Sequence, residues 1–76
     1  MKLIALFAEA GFTYEYPGFL LKNVNGLDYV IGCDATALAD SPVEVQIMEE
    51  QGGKGVDCFD CETGYAALER IRSLIA

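Results

Sequence analysis

The side chains with the greatest chemical capacity in this chain are three thiols and a concentrated run of carboxylates. Cys58-Phe59-Asp60-Cys61 is a Cys-x-x-Cys, and Cys33 supplies the third thiol. A thiol at a helix N-terminus is acidified by the unpaired N–H groups there, which is the physical basis of thiol–disulfide exchange. Here Asp57, Asp60 and Glu62 flank the cysteines, and their negative charge opposes thiolate formation. The same three cysteines with one carboxylate would make a four-ligand zinc set. That requires Cys33 to end beside Cys58 and Cys61, in a chain with no His and no second Cys-x-x-Cys. The plainer expectation is that Cys33 and Cys58 are small core residues, since free cysteine is among the most buried residue types. An odd cysteine count also argues against a fully paired secreted disulfide framework and for a reducing compartment.

Catalytic groups are scarce. With no His, the commonest general base and the usual partner of Ser and Cys nucleophiles are missing. Ser41 precedes a proline and Ser73 lies near the end of a helical pattern. Paired carboxylates need a sugar-sized cleft to act on a glycosidic bond, which a chain of 76 residues rarely encloses. Gly52-Gly53-Lys54-Gly55 lacks the spacing of a phosphate loop and leads into an extended segment, and residues 34–40 lack the calcium-loop pattern. Thioredoxin-like motifs follow a strand of a βαβ unit, a context absent here. The chain is expected to be neither an enzyme nor dependent on a cofactor.

The acids carry the clearest signal. Residues 28–62 hold Asp28, Asp34, Asp40, Glu44, Glu49, Glu50, Asp57, Asp60 and Glu62 against Lys54, while the flanking segments are close to neutral. Such a field repels DNA, RNA and anionic lipid, and attracts basic partners. Phe12, Tyr14, Tyr16, Phe19 and Tyr29 are expected to be core or interface aromatics, because a nucleic-acid stacking platform would interleave them with Arg and Lys.

The elements that position these groups follow from periodicity. Leu3, Leu6, Phe7 and Ala10 have helical spacing, closed by Gly11, although residues 2–7 alone also fit a strand. Residues 12–16 alternate as a strand, Pro17-Gly18 breaks it, and residues 19–24 resume extended character. Asn25-Gly26 has the composition of a two-residue type I′ hairpin turn. A strand over 27–33, a loop over 34–42, a strand over 43–48, a turn over 51–55 and a strand over 56–59 follow. A final helix is expected to be capped by Asp60, with Tyr65, Leu68, Ile71, Leu74 and Ile75 as its apolar stripe. The order implies one α+β domain over residues 1–76. It is a two-layer antiparallel meander of about four strands with both helices on one face.

Strand alternation then places the acids. If Val43, Val45 and Ile47 face the helices, Glu44 and Glu50 face away, and Asp28 projects outward from the strand before. On the last strand either Val56 and Cys58 point inward, which sends Asp57 outward, or Phe59 does. Asp28, Glu44, Glu49, Glu50 and Asp57, with Met48 as an apolar anchor, are therefore the expected partner-contacting residues. Such an acidic face serves either solubility alone or recognition of a basic partner, with homodimerisation a further outcome if its apolar positions pair. In size, acidity and lack of catalytic groups the chain is similar in kind to phage-encoded inhibitors of bacterial defence systems, the anti-CRISPR and anti-restriction proteins. That resemblance implies an inhibitor that mimics DNA and occupies the basic nucleic-acid-binding groove of a protein or complex. The alternatives are a thiol or metal module built on Cys33, Cys58 and Cys61, and a structural subunit. The longest apolar run, Leu3–Ala8, is far shorter than a membrane span and fits a secretory signal poorly, so a cytoplasmic protein without membrane association is expected.

Overall fold

The computed structural model describes residues 1–50 and 52–76. Helix α1 (Leu3–Ala8) is followed by strands β1 (Thr13–Glu15), β2 (Phe19–Val24), β3 (Leu27–Gly32), β4 (Val43–Glu49) and β5 (Gly55–Cys61), and by helix α2 (Gly64–Ile75). The strands form one antiparallel sheet in chain order, β1-β2-β3-β4-β5. The α+β architecture is the expected one, with one strand more. The turn at Tyr16–Gly18, which contains a cis Tyr16–Pro17 peptide, folds residues 12–24 into two paired strands.

Local chemistry sets the joints. Asn25 and Gly26 both hold positive φ, 53° and 82°, so β2 and β3 close through the two-residue turn their types favour. That turn pairs Val24 with Leu27 and fixes the register along the hairpin. The turn between β4 and β5 brings Glu49 and Lys54 together: the Glu49 N–H donates to the Lys54 carbonyl at 2.9 Å, and the Lys54 N–H to Glu49 Oε1 at 3.2 Å. Gln51, assigned to this turn by sequence, lies outside the described residues. Segment 34–42 forms turns and an isolated bridge, Lys2 with Leu38, which pins the N-terminus beside it.

The expected capping of α2 by Asp60 is not what forms. β5 continues through Cys61, and Thr63 is the N-cap, its hydroxyl accepting the Ala66 N–H at 3.1 Å. The buried stripe of α2 is accordingly Gly64, Ala67, Leu68 and Ile71, while Tyr65 and Leu74 are half exposed. Both helices lie on one face of the sheet, α2 over β4 and β5, and α1 against α2 and β1. Between the layers sit Leu3, Phe7, Leu20, Ile31, Val45 and Ile71, all essentially buried. Phe7 and Phe12 meet edge to face at 5.0 Å, an arrangement favoured by the ring quadrupoles. Among the described residues, no helix is long and apolar enough to cross a membrane.

Candidate functional site

With both helices on one side, the other side of the sheet is left open. Antiparallel pairing sorts its outward side chains into three rows running across the strands. The middle row is Thr13, Leu21, Val30, Gln46 and Cys58. On one side of it Phe19 lies between Glu15 and Gly32, with Glu44 opposite Asp60. On the other side Asn23, Asp28 and Met48 follow one another. Phe19, Leu21, Val30 and Met48 line a shallow hollow of about 350 Å³ together with Asp28 and Gly52. Gly32 contributes no side chain, and a second hollow of about 210 Å³ opens there between Val30, Glu44 and Gln46.

The acids form two banks around this apolar stripe. Glu44 and Asp60, exposed and directly opposite one another, make the first. Asp28 and Glu50 make the second, held together by the Asn23 amide, whose Nδ2 donates to Asp28 Oδ1 at 3.0 Å and to Glu50 Oε2 at 3.1 Å. Among the described residues, no Lys or Arg occupies an outward strand position. Lys22, the one base within a strand, is paired with buried Tyr29, and its Nζ donates to the Ala10 carbonyl at 2.7 Å on the helix side.

Of the residues expected from sequence to make contacts, the fold therefore brings Asp28, Glu44, Met48 and Glu50 onto one face. Asp57 and Glu49 are corrections. Asp57 is the partner of buried Ile47, so it lies on the helix side of the edge strand. The cause is Phe59, two residues on, whose ring takes the inward position beneath Arg70, with Cζ 3.9 Å from its centroid. Burying that ring removes far more apolar surface from water than burying Cys58 would. Glu49 is paired with Leu27, which packs on the helix-side core, and its carboxylate is engaged in the turn. Asp60 and the aromatic and aliphatic pair Phe19 and Leu21 join the face instead. For Phe19 and Leu21 the signal lies in the two-residue turn at Asn25-Gly26, which sets Leu21 opposite Val30; for Asp60 no local signal decides.

The Cys58 thiol is kept apart from the other two. Cys58 is exposed on the open face, whereas Cys61 points to the helix side and packs on the core, as does Cys33. Two residues three apart on a strand lie on opposite faces, with Cα atoms about 10 Å apart, beyond disulfide reach. Cys58 is thus not a core residue, and its thiol is pushed up from 9.0 by desolvation first and then by Glu44, Asp60 and Asp57. The Cys33 thiol is raised by burial and by Asp34. Among the described residues, no three Cys, Asp or Glu side chains are grouped to hold one metal ion. Asp34, by contrast, is held below 3.8, chiefly by the Thr36 hydroxyl and backbone N–H at 2.6 and 2.8 Å. No family model, no curated protein and no solved structure matches this chain.

Proposed function

We propose that this chain is a small acidic interaction module that docks through the open face of its sheet onto a basic, nucleic-acid-binding partner and competes with nucleic acid for it. One observation carries the proposal: an apolar stripe, Phe19, Leu21, Val30 and Met48, lies between two carboxylate banks on a face where, among the described residues, no Lys or Arg takes a strand position. Apolar anchors supply affinity, and like-signed charges around them steer approach and reject acidic surfaces. Face-to-face pairing of two copies would set carboxylates against carboxylates, which favours a basic partner over self-association at neutral pH. The module performs no catalytic step. As an inhibitor of the anti-CRISPR or anti-restriction kind, it would place Glu44, Asp60, Asp28 and Glu50 where the partner expects phosphates.

Capture from a bacterial lysate tests this. Tagged protein is used at about 0.1 M and about 0.5 M salt, between which the Debye length falls from roughly 10 Å to about 4 Å. The expected result is enrichment of a nucleic-acid-binding protein that is weakened at high salt, competed by DNA or RNA, and lost with Glu44→Lys plus Asp60→Lys. Capture indifferent to those two reversals overturns the proposal.

A further inference from the structure

The apolar stripe does not run along a strand. It begins at Phe19 on β2, crosses Leu21 and Val30 in the middle row, and ends at Met48 on β4, one row further along. It is a diagonal across three strands. Two inter-strand spacings and four residues of strand give it a length of about 17 Å, which is the rise of a helix of roughly 11 residues. The carboxylates respect the same diagonal: Glu44 and Asp60 lie on one side of it, and Asp28 and Glu50 on the other.

We propose that the partner segment seated on this face is a basic amphipathic α-helix of about three turns, an inference that rests on the interaction-module function above. Such a helix places apolar side chains at i, i+3 or i+4, i+7 and i+11 into the stripe, while Lys and Arg on both shoulders meet the two carboxylate banks. The sheet receives it as it already receives α2 on its opposite side, as a third layer. An extended segment suits the site less well. It would present its side chains at period two along one strand direction, which Phe19 and Leu21 match, whereas Val30 and Met48 step on to the next two strands. At the free edge of β5 one donor that such a segment would need is already taken, the Cys58 N–H donating to Asp57 Oδ1 at 2.8 Å.

The test uses the whole chain, labelled with nitrogen-15, and two synthetic peptides of identical Leu, Lys and Arg content. One spaces its leucines at helical period and the other at period two. The helical peptide is expected to bind at least tenfold more tightly and to gain helical circular dichroism on binding. It should shift the amides of Leu21, Val30 and Met48 rather than those of α2. Val30→Glu and Met48→Glu should each weaken it at least tenfold while leaving the dispersion of the spectrum native. Equal affinity for the two peptides, shifts confined to β5 or α2, or indifference to both variants overturns the helical partner. If salt-sensitive, DNA-competed capture from lysate persists alongside equal peptide affinities, the interaction module stands and the helix falls. Failure of both overturns both.

Discussion

Replacing Gly64 by alanine is the sharpest probe of how α2 is seated against α1 and the 34–42 segment. Gly64 is the first residue of α2 and is buried. A Cβ there would overlap Leu3 Cδ1 and lie 2.8 Å from the Ala39 carbonyl oxygen. Neither neighbour yields easily. Leu3 is 1% exposed and its N–H donates to the Ala37 carbonyl at 2.8 Å, while the Ala39 carbonyl accepts the Gly64 N–H at 2.7 Å and the Ala39 N–H donates to Met1. Alanine is favoured over glycine by about 1 kcal/mol in a helix interior, and by less at a first position. Overpacking a close-packed contact costs about 1–3 kcal/mol. The balance is a loss of about 2 kcal/mol, which for a chain of this size lowers the thermal midpoint by roughly 8–16 °C. Thermal and urea unfolding followed by circular dichroism measure it, with the urea slope expected to stay constant. The double variant Leu3→Ala, Gly64→Ala should recover part of the loss relative to additivity, because the overlapping methyl is gone. A midpoint unchanged or raised by Gly64→Ala alone refutes the packing argument.

Leu20 and Leu21 are neighbours with opposite fates, so Leu20→Ala should cost about 2–5 kcal/mol by urea unfolding, and Leu21→Ala about 1 kcal/mol or less, with the larger effect of Leu21→Ala appearing in partner binding; equal stability losses would contradict the assignment of faces. Cys58, although exposed, should be alkylated by iodoacetamide at pH 7.5 more slowly in the folded protein than in urea, and Glu44→Gln should accelerate it, as read by peptide mass mapping. Faster reaction in the folded state would contradict the direction of its pKa shift. Asp34 titrates below 3.8 in the folded chain, so its contribution to stability is present above that value and is lost as pH falls through the folded midpoint. Thr36→Val should move its carbon-13 titration midpoint back up, and an unmoved midpoint would remove the hydroxyl as the cause.

Much of this architecture is legible in residue order because local signals agree. Asn25-Gly26 demands a tight turn, the turn fixes the β2–β3 register, and the register then dictates which side chains share a face. Val43, Val45 and Ile47 alternate without ambiguity, so Glu44 and Met48 are placed correctly from sequence. β5 is where the pattern gives out. Val56, Cys58 and Phe59 are all acceptable inward residues, and local alternation holds nothing that ranks them. The choice is made by tertiary partners, Arg70 and Val45 against Phe59, that a single strand does not contain. The cap of α2 fails for a related reason: Asp60 and Thr63 are both competent caps, and the pairing of Cys61 with Val43 extends the strand past the first. The open hollow was missed because Phe19 and Leu21 follow Pro17-Gly18 as an unbroken apolar run, which conceals their alternation until Leu20 is known to be buried.

The bond from the Cys58 N–H to Asp57 Oδ1 also bears on the outer edge of the sheet. β5 is an outer strand of seven residues, and the alternation of the ladder turns the main chain of Cys58 and Asp60 away from β4. An unguarded edge of that length is a template on which another copy can grow a sheet. Here a carboxylate takes the donor at the middle of the edge. Any strand that arrives must displace that carboxylate and bring its own groups alongside Asp57 and Asp60, which for a second copy means acid against acid. A molecule that leaves an apolar stripe uncovered on one face thus carries, on an edge of the same sheet, a carboxylate set against strand addition.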